Sequence, residues 1–493
     1  MHKIGFDNDK YLKLQSEKIL ERISMFGDKL YLELGGKLFD DYHASRVLPG
    51  FMPDSKINML SALKDKAEIL IVINANDIEK NKTRSDLGIT YELEVIRLID
   101  IFRNKGFFVE SVVLTRFAGQ MSALVFEKKL TNFGIKVYHH YDIEGYPSEV
   151  EKIVSEEGFG KNDFVETKKP LVIVTAPGPG SGKMATCLSQ LYHENKRGVK
   201  AGYAKYETFP VWNLGLNHPV NAAYEAATVD LNDLNMIDPF HLDAYGEMAV
   251  NYNRDVEIFP VLSAMMNKIM GSSLYKSPTD MGVNMAGFCI TDDEECREAS
   301  RQEIIRRYYA TNLDYLKGNV SKESVSKMEI IMQKMKLVTT DRAVVGPALE
   351  KELETGTPCS ALALPDGRIV TGKTGKLLGA SASALLNALK VLADIDDSID
   401  IISSAVIEPI QKLKVEHMGS ENPRLHTDEI LLSLAVSAVT NPIAKLALEQ
   451  LEKLKGAQFH SSVILSHVDN KTLKKLGIDV TSEPKSKKKS LLM

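Results

Sequence analysis

The sequence predicts an α/β protein built on a mostly parallel sheet, followed by a helical domain and a C-terminal α+β domain. Three observations predict it. Apolar strand-length runs alternate with amphipathic helical patterns from about Lys29 to Pro260. One of these runs passes directly into a glycine-rich turn that opens a helix. Beyond Pro260 the alternation gives way to consecutive helices, and then to a hairpin pattern with further helices. The domains are placed at residues 1–265, 266–340 and 341–493.

The expected strands of the first domain are KLYLEL, AEILIVINA, FVESVVLTR, IKVYHH, LVIVTA and VKAGYAKYET. Between them stand helical patterns such as ITYELEVIRLIDIFRNKG and AGQMSALVFEKKLTNFG, the second ending on Gly134, a residue suited to a left-handed helix stop. The helical domain reads as VLSAMMNKIMG, ECREASRQEIIRRYYATNLDYLKG and VSKESVSKMEIIMQKMK, the last with a methionine-rich face of the kind that fills adaptable cores. In the third region VVGPALEKELE reads as a helix, and CSALAL and RIVTGKT as strands. Asp366-Gly367 between them suits a type I′ turn. ASASALLNALKVLADI is the next helix. Two more follow around Pro409 and Pro442, then a late strand, SSVILSH.

Composition excludes several classes. With 61 basic against 66 acidic side chains the net charge is −5, which offers no counterion-releasing surface for nucleic acid. The basic PKSKKKSLLM at the end reads as a solvated tail. No apolar run approaches the ~20 residues of a membrane helix, and the polar N-terminus carries no signal-peptide core. Cys187, Cys289, Cys296 and Cys359 stand at no zinc or redox spacing and read as reduced cytoplasmic thiols.

The chemistry concentrates at TAPGPGSGKMATCLSQ, Thr175 to Gln190. A phosphate loop needs GxxxxGK[ST]: backbone amides for the phosphate oxygens, a lysine for charge and a hydroxyl for Mg²⁺. Gly182-Lys183 stand in place, but Pro177 replaces the first glycine and Met184 the hydroxyl residue. Pro177 and Pro179 donate no hydrogen bond. Gly178, Gly180, Ser181, Gly182 and Lys183 still offer five amides at the positive end of a helix, so an anion cradle survives. A thioether is a poor Mg²⁺ ligand. Ser181 is the nearest substitute hydroxyl. The alternative is a glycine corner serving architecture alone.

Four other stretches carry polar groups. The long segment Tyr203 to Pro260 holds the only tryptophan, Trp212, with Glu207, His218, Glu225, Asp230, Asp233, Arg254 and Asp255. Within it, IDPFHLD gathers Asp238, His241 and Asp243. That set suits proton transfer or metal binding, or equally a helix cap by Asp238 followed by a first-turn proline. LGGKLFDDYHASR reads as a hairpin turn before a solvated face, with Lys37 as an alternative anion contact. INANDIEKNKTRSDLG leaves a strand end that could face the Gly180 turn, and offers Lys80, Lys82 and Arg84 either as a basic loop closing over a phosphate or as a plain exposed loop. KSPTDMGVNMAGFCITDDEE reads as a hinge or as the lining of a cleft.

The run LVIVTAPGPGSGKMATCLSQLYHENKRGVKAGYAKYETFPVWNL resembles the signature of an uncharacterised bacterial family catalogued as a domain of unknown function, of the UPF type. LGGKLFDDYHASRVLPGF, EGFGKND, DLNDLNMIDPFHLDAYG, VNYNRDVEIFPVL, SPTDMGVNMAG and LPDGRIVTGKTGKLLGASASALLNALK extend the resemblance over nearly the whole chain. It implies a bacterial cytoplasmic protein with a Rossmann-like N-terminal part and small accessory domains. It also implies that Pro177 and Met184 belong to the family's own pattern. PDGRIVTG followed by SASALLNALKVLA is similar in layout to the cytidine deaminase core, which holds zinc through His or Cys-x-Glu at the helix start and Pro-Cys-x-x-Cys on the next helix. Here the helix starts Gly379-Ala380-Ser381-Ala382, and Pro358-Cys359 precedes the hairpin without a second cysteine. That resemblance implies the shape without the zinc site.

The expectation is therefore a Rossmann-like, P-loop-like cytoplasmic protein handling a small phosphorylated ligand, as a transferase or ligase. Gly178, Gly180, Ser181, Gly182 and Lys183 form its cradle, and Lys183, Asp238 and His241 are the catalytic candidates. ATP or another phosphorylated compound, with or without Mg²⁺, is the candidate cofactor, and no metal ligand set is assigned. A sensor of a phosphorylated metabolite and a structural oligomer are the alternatives. The methionine-rich helices suggest a homo-oligomer.

Overall fold

The computed structural model describes residues 3–485 apart from 28, 37, 40, 85–87 and 273. The expectations for Lys37, for Asp40, for part of the basic loop and for the tail from residue 486 lie outside the described residues. Ile4–Glu225 with Asn232–Ala299 form one compact unit, and 226–231 with the chain from Ser300 onward belong to a second.

The first unit is a seven-stranded sheet of β1 (Lys29–Leu34), β2 (Ala67–Asn74), β3 (Phe108–Thr115), β4 (Lys136–His139), β5 (Leu171–Thr175), β6 (Ala201–Tyr206) and β7 (Gly282–Val283). Their order across the sheet is β7-β6-β1-β5-β2-β3-β4, and every neighbouring pair is parallel. Parallel strands carry helices on both faces, so they bury side chains in both directions. All eight residues of β2 and all five of β5 are buried. Six of these strands are the ones expected from the sequence. The seventh has two residues and no apolar run to announce it.

Four helices of this unit bear on the site. Helix α1 (Asn8–Phe26) is capped by Asp7, which accepts from the Lys10 amide at 2.9 Å. It buries Tyr11, Gln15, Ile19, Arg22 and Phe26 along one face, and Gln15 Nε2 donates to Val283 O at 2.7 Å. Helix α2 (Lys183–Lys196) follows the glycine turn and α3 (Pro239–Tyr245) follows Asp238. Helix α4 (Asn253–Met270) corrects the expected start of the helix VLSAMMNKIMG, because it runs through Pro260 instead of starting after it. An internal proline costs a helix about 3 kcal/mol. Burial of Val256, Phe259, Leu262, Met265, Met266 and Ile269 on one stripe offsets that loss.

The GGK stretch is a second correction. Among the described residues no hairpin follows β1, whose neighbours β5 and β6 are both parallel to it. Asp41 is buried and paired with the Lys56 ammonium at 2.8 Å, while Tyr42 beside it is exposed, so the face is only partly solvated.

The second unit contains a four-stranded sheet of β8 (Cys359–Ala363), β9 (Ile369–Lys373), β10 (Gln458–Ser461) and β11 (Asp479–Ser482), in the order β9-β8-β10-β11. Helix α5 (Ala380–Leu392) supplies Leu385, Ala388 and Leu389 to its core. In the β8–β9 hairpin only Gly367 takes a positive φ, whereas a type I′ turn needs two such residues. Leu364 N donates to Arg368 O at 2.8 Å and Gly367 N to Leu364 O at 2.9 Å, so the loop is one residue longer than expected. The late strand lies at Gln458–Ser461, just upstream of most of SSVILSH. All four cysteines are buried and free. No helix among the described residues is long and apolar enough to cross a membrane.

Candidate functional site

After β5 the chain crosses to β6 beyond β1, whereas after β2 it runs the opposite way to β3. Open α/β sheets bind ligands where such connections diverge, beyond the carboxyl ends of the strands. The glycine turn sits there. Thr115, the last residue of β3, donates through Oγ1 to Ser181 O at 2.7 Å, and Asn74, the last of β2, donates through Nδ2 to Gly180 O at 3.4 Å. Ser181 Oγ closes the turn on Gly178 O at 2.7 Å. The strand end singled out in the sequence does therefore face this turn.

These three contacts orient the amides. In a planar trans peptide the N–H points opposite to the preceding C=O. Tying the Gly180 and Ser181 carbonyls to the strand ends turns the Ser181 and Gly182 amides away from them. Among the described residues the amides of Gly178, Gly180, Ser181, Gly182 and Lys183 donate to no protein acceptor. The first backbone donation into the head of α2 is Thr186 N to Gly182 O at 2.9 Å. Helix heads leave their first amides unpaired, and here the set extends back through buried Ser181 to Gly178, so this concentration of free donors is the site's chief feature.

Gly182 caps α2 with φ +88°, and a Cβ there would stand 3.1 Å from Thr115 Cγ2. Gly182→Ala is expected to cost about 1–2 kcal/mol, because an L side chain is strained in the left-handed region. A lower urea midpoint at unchanged m-value checks it.

Lys183 is mostly buried, and its Nζ lies 3.9 Å from Glu33 Oε1. Glu33 Oε2 accepts from the Tyr203 hydroxyl at 2.7 Å. In the register of β1 and β6, Glu33 is the direct neighbour of Lys205. Lys205 pairs with Asp255 and, at 2.8 Å, with Glu207. Burial pushes the Glu207 carboxyl up. It also opposes ionisation of Asp255, but the Lys205 charge outweighs it and holds that carboxyl below the usual range. Burial first, then the Glu33 charge, push Tyr146 up to about 12, so this phenol remains a donor at neutral pH. Glu33 and Lys205 were missed in the sequence. Their signal was one charge near the carboxyl end of each of two otherwise apolar strands.

The remaining candidates are engaged elsewhere. Asp238 caps α3: Oδ1 accepts from Phe240 N and His241 N at 3.0 Å each, while Oδ2 accepts from Thr279 N at 3.2 Å and Thr279 Oγ1 at 2.6 Å. His241 Nδ1 meets Ser277 Oγ at 3.0 Å. Among the described residues neither side chain bonds or pairs with Lys183. His218 pairs with Asp293 at 2.9 Å and Arg254 with Asp233 at 3.2 Å. Arg84 is held by buried Glu94, and Lys82 lies over the Tyr91 ring, 5.1 Å from its centroid. Met184 packs on the core and Thr186 is fully buried in α2. Among the described residues no three His, Cys, Asp or Glu side chains form a group that could hold a metal ion.

A family model described as "Domain of unknown function DUF1846, N-terminal" matches residues 4–336, and its C-terminal counterpart matches 340–492. A UPF0371 protein of Corynebacterium efficiens is 58% identical over 488 residues, which is 99% of each chain. One from Corynebacterium diphtheriae is 57% identical over 489 residues, 99% of this chain and 98% of its own. One from Streptococcus pneumoniae strain Hungary19A-6 is 56% identical over 484 residues, 98% of both. Two family models that together take in the glycine turn, its strand ends and the C-terminal sheet, with relatives alike from end to end, place this chain in the DUF1846 family, whose members carry the name UPF0371.

Proposed function

We propose that the protein binds the phosphate of a small phosphorylated ligand, a nucleotide or a sugar phosphate, on the turn from Gly178 to Lys183. The observation that carries this reading is the set of five amides with no protein acceptor, next to a lysine with a single distant carboxylate partner. An oxyanion would satisfy the amides and displace Lys183 from Glu33. Group transfer or ligation is the reaction class, since the sequence carries no recognisable water-positioning motif for hydrolysis. In this reading Lys183 neutralises charge, while Asp238 and His241 hold the segment that carries Thr279 instead of acting on substrate. The protein works in the cytoplasm without nucleic acid.

The test is a melting-temperature screen against nucleotides and sugar phosphates, with and without Mg²⁺. A ligand at about 100 times its Kd adds ~2.7 kcal/mol by mass action. Lys183→Ala is expected to abolish the shift while leaving the unliganded melting temperature within a few degrees of wild type. Binding is expected to persist without Mg²⁺, because Met184 stands at the hydroxyl position. Turnover of the stabilising compound identifies an enzyme, and binding without turnover a sensor. No shift from any phosphorylated compound overturns the reading.

A further inference from the structure

The second unit holds another arrangement of unpaired donors, which the glycine turn does not use. Helix α5 begins at Gly379, and no side chain caps it. Gly379 N donates to Leu425 O at 3.2 Å, and the first donation into the helix head is Ser383 N to Gly379 O at 3.0 Å. Among the described residues the amides of Ala380, Ser381 and Ala382 find no acceptor.

A helix head alone is not a site, but this one opens on a cleft lined by Ser381, Arg424, His426, Ser461, Ser466 and Asp469. Two of the lining hydroxyls are buried with their protons unspent. Ser381 is 5% exposed and its Oγ has no partner among the described residues. Ser461 is 1% exposed, and its Oγ only accepts, from Val463 N at 3.4 Å.

Among the other lining groups the carboxylate is neutralised by its own partners and the guanidinium is left as a donor. Asp469 Oδ1 accepts from Thr427 N at 2.9 Å, and Oδ2 accepts from His426 Nδ1 at 3.0 Å and Ser466 Oγ at 2.7 Å. Its charge is spent within the wall. The same bond fixes the His426 ring with its proton on Nδ1 and leaves Nε2 as an acceptor, unengaged among the described residues. Arg424 Nε donates to Gly375 O at 2.7 Å, which leaves its terminal nitrogens available. Three amides, two hydroxyls and a guanidinium exceed the roughly four lone-pair sites of a carboxylate. A tetrahedral oxyanion with three terminal oxygens can take them.

We propose that this cleft binds the phosphate group of a small phosphomonoester, at a second site in the C-terminal unit. Hydrogen exchange of the full chain, titrated with inorganic phosphate, glycerol phosphate or acetate at matched ionic strength, tests it. At about ten times Kd, exchange across residues 379–383 is expected to slow about tenfold with either phosphate, and not with acetate. The same exchange map reads residues 175–190 separately, so one site can fail without the other. Ser381→Asp places a carboxylate in the first turn, where the helix dipole favours it. It is expected to keep the melting temperature, erase protection over 379–383 and leave 175–190 unchanged. Arg424→Gln is expected to weaken the protection without unfolding the helix. No protection from phosphate, equal protection from acetate, or protection that survives Ser381→Asp overturns the proposal.

Discussion

Lys205→Met is expected to destabilise the first unit by about 3–5 kcal/mol at pH 8, the cost of stranding buried carboxylates without their cation. Lys205 is the penultimate residue of β6, between Glu33 on one neighbouring strand and Gly282 on the other. Burial alone would lower its ammonium pKa. Asp255, Glu207 and Glu33 reverse that and hold it far above the ordinary value. Methionine fills the same volume but leaves Asp255 and Glu207 facing each other in a buried site. They would then share protons instead of a lysine, at pKa values raised above the ordinary, so the loss is expected to shrink as pH falls from 8 toward the ordinary carboxylate range. Urea denaturation at pH 8 and pH 5 measures both values. A loss below ~1 kcal/mol at pH 8 would mean that the cluster is hydrated and behaves as a surface pair.

That cluster also marks the limit of what the sequence conveys. Strands such as AEILIVIN and LVIVT were legible because a strand buried on both faces is a continuous apolar run. The glycine turn was legible because its glycines, proline and lysine fall between a strand and a helix. The pairing of Glu33 with Lys205 was not legible. It depends on β6 returning to lie beside β1, and strand order is not written in any local pattern. Helix α1 was hidden because Gln15 and Arg22 interrupt its buried face, and their partners, Val283 O and Asp280 O, come from more than 250 residues away. SSVILSH reads as a strand by its apolar centre. The ladder instead pairs Phe459, His460 and Ser461 with β8, and buried His460 finds Thr481 Oγ1 at 2.9 Å. The cap at Asp238 was legible from Asp-Pro alone. Its second duty, fastening Thr279, was not.

Glu207→Gln is expected to make the protein more stable than wild type above pH 7, and progressively less so as pH falls toward 4.5. Burial raises the folded-state pKa of this carboxyl above its unfolded value, so between the two the folded state holds the extra proton. Where the folded state binds more protons, stability falls as pH rises. The wild type therefore loses stability across this interval, and a glutamine has nothing to lose. At 1.36 kcal/mol per pKa unit the difference at pH 8 comes to about 1–3 kcal/mol, since Lys205 and Asp255 share the titration. The total pH profile would obscure it. His140, lowered to about 4 by burial, and His193, His218 and His460, lowered for the same leading reason, all make stability rise with pH over part of this window. Subtracting the wild-type curve from the variant curve cancels those groups. Asp255, held below its usual range, acts only at more acid pH. The remaining slope belongs to Glu207 with the Lys205 and Asp255 partners that share its titration, and a flat difference between pH 4.5 and 8 would place its carboxylate in contact with water.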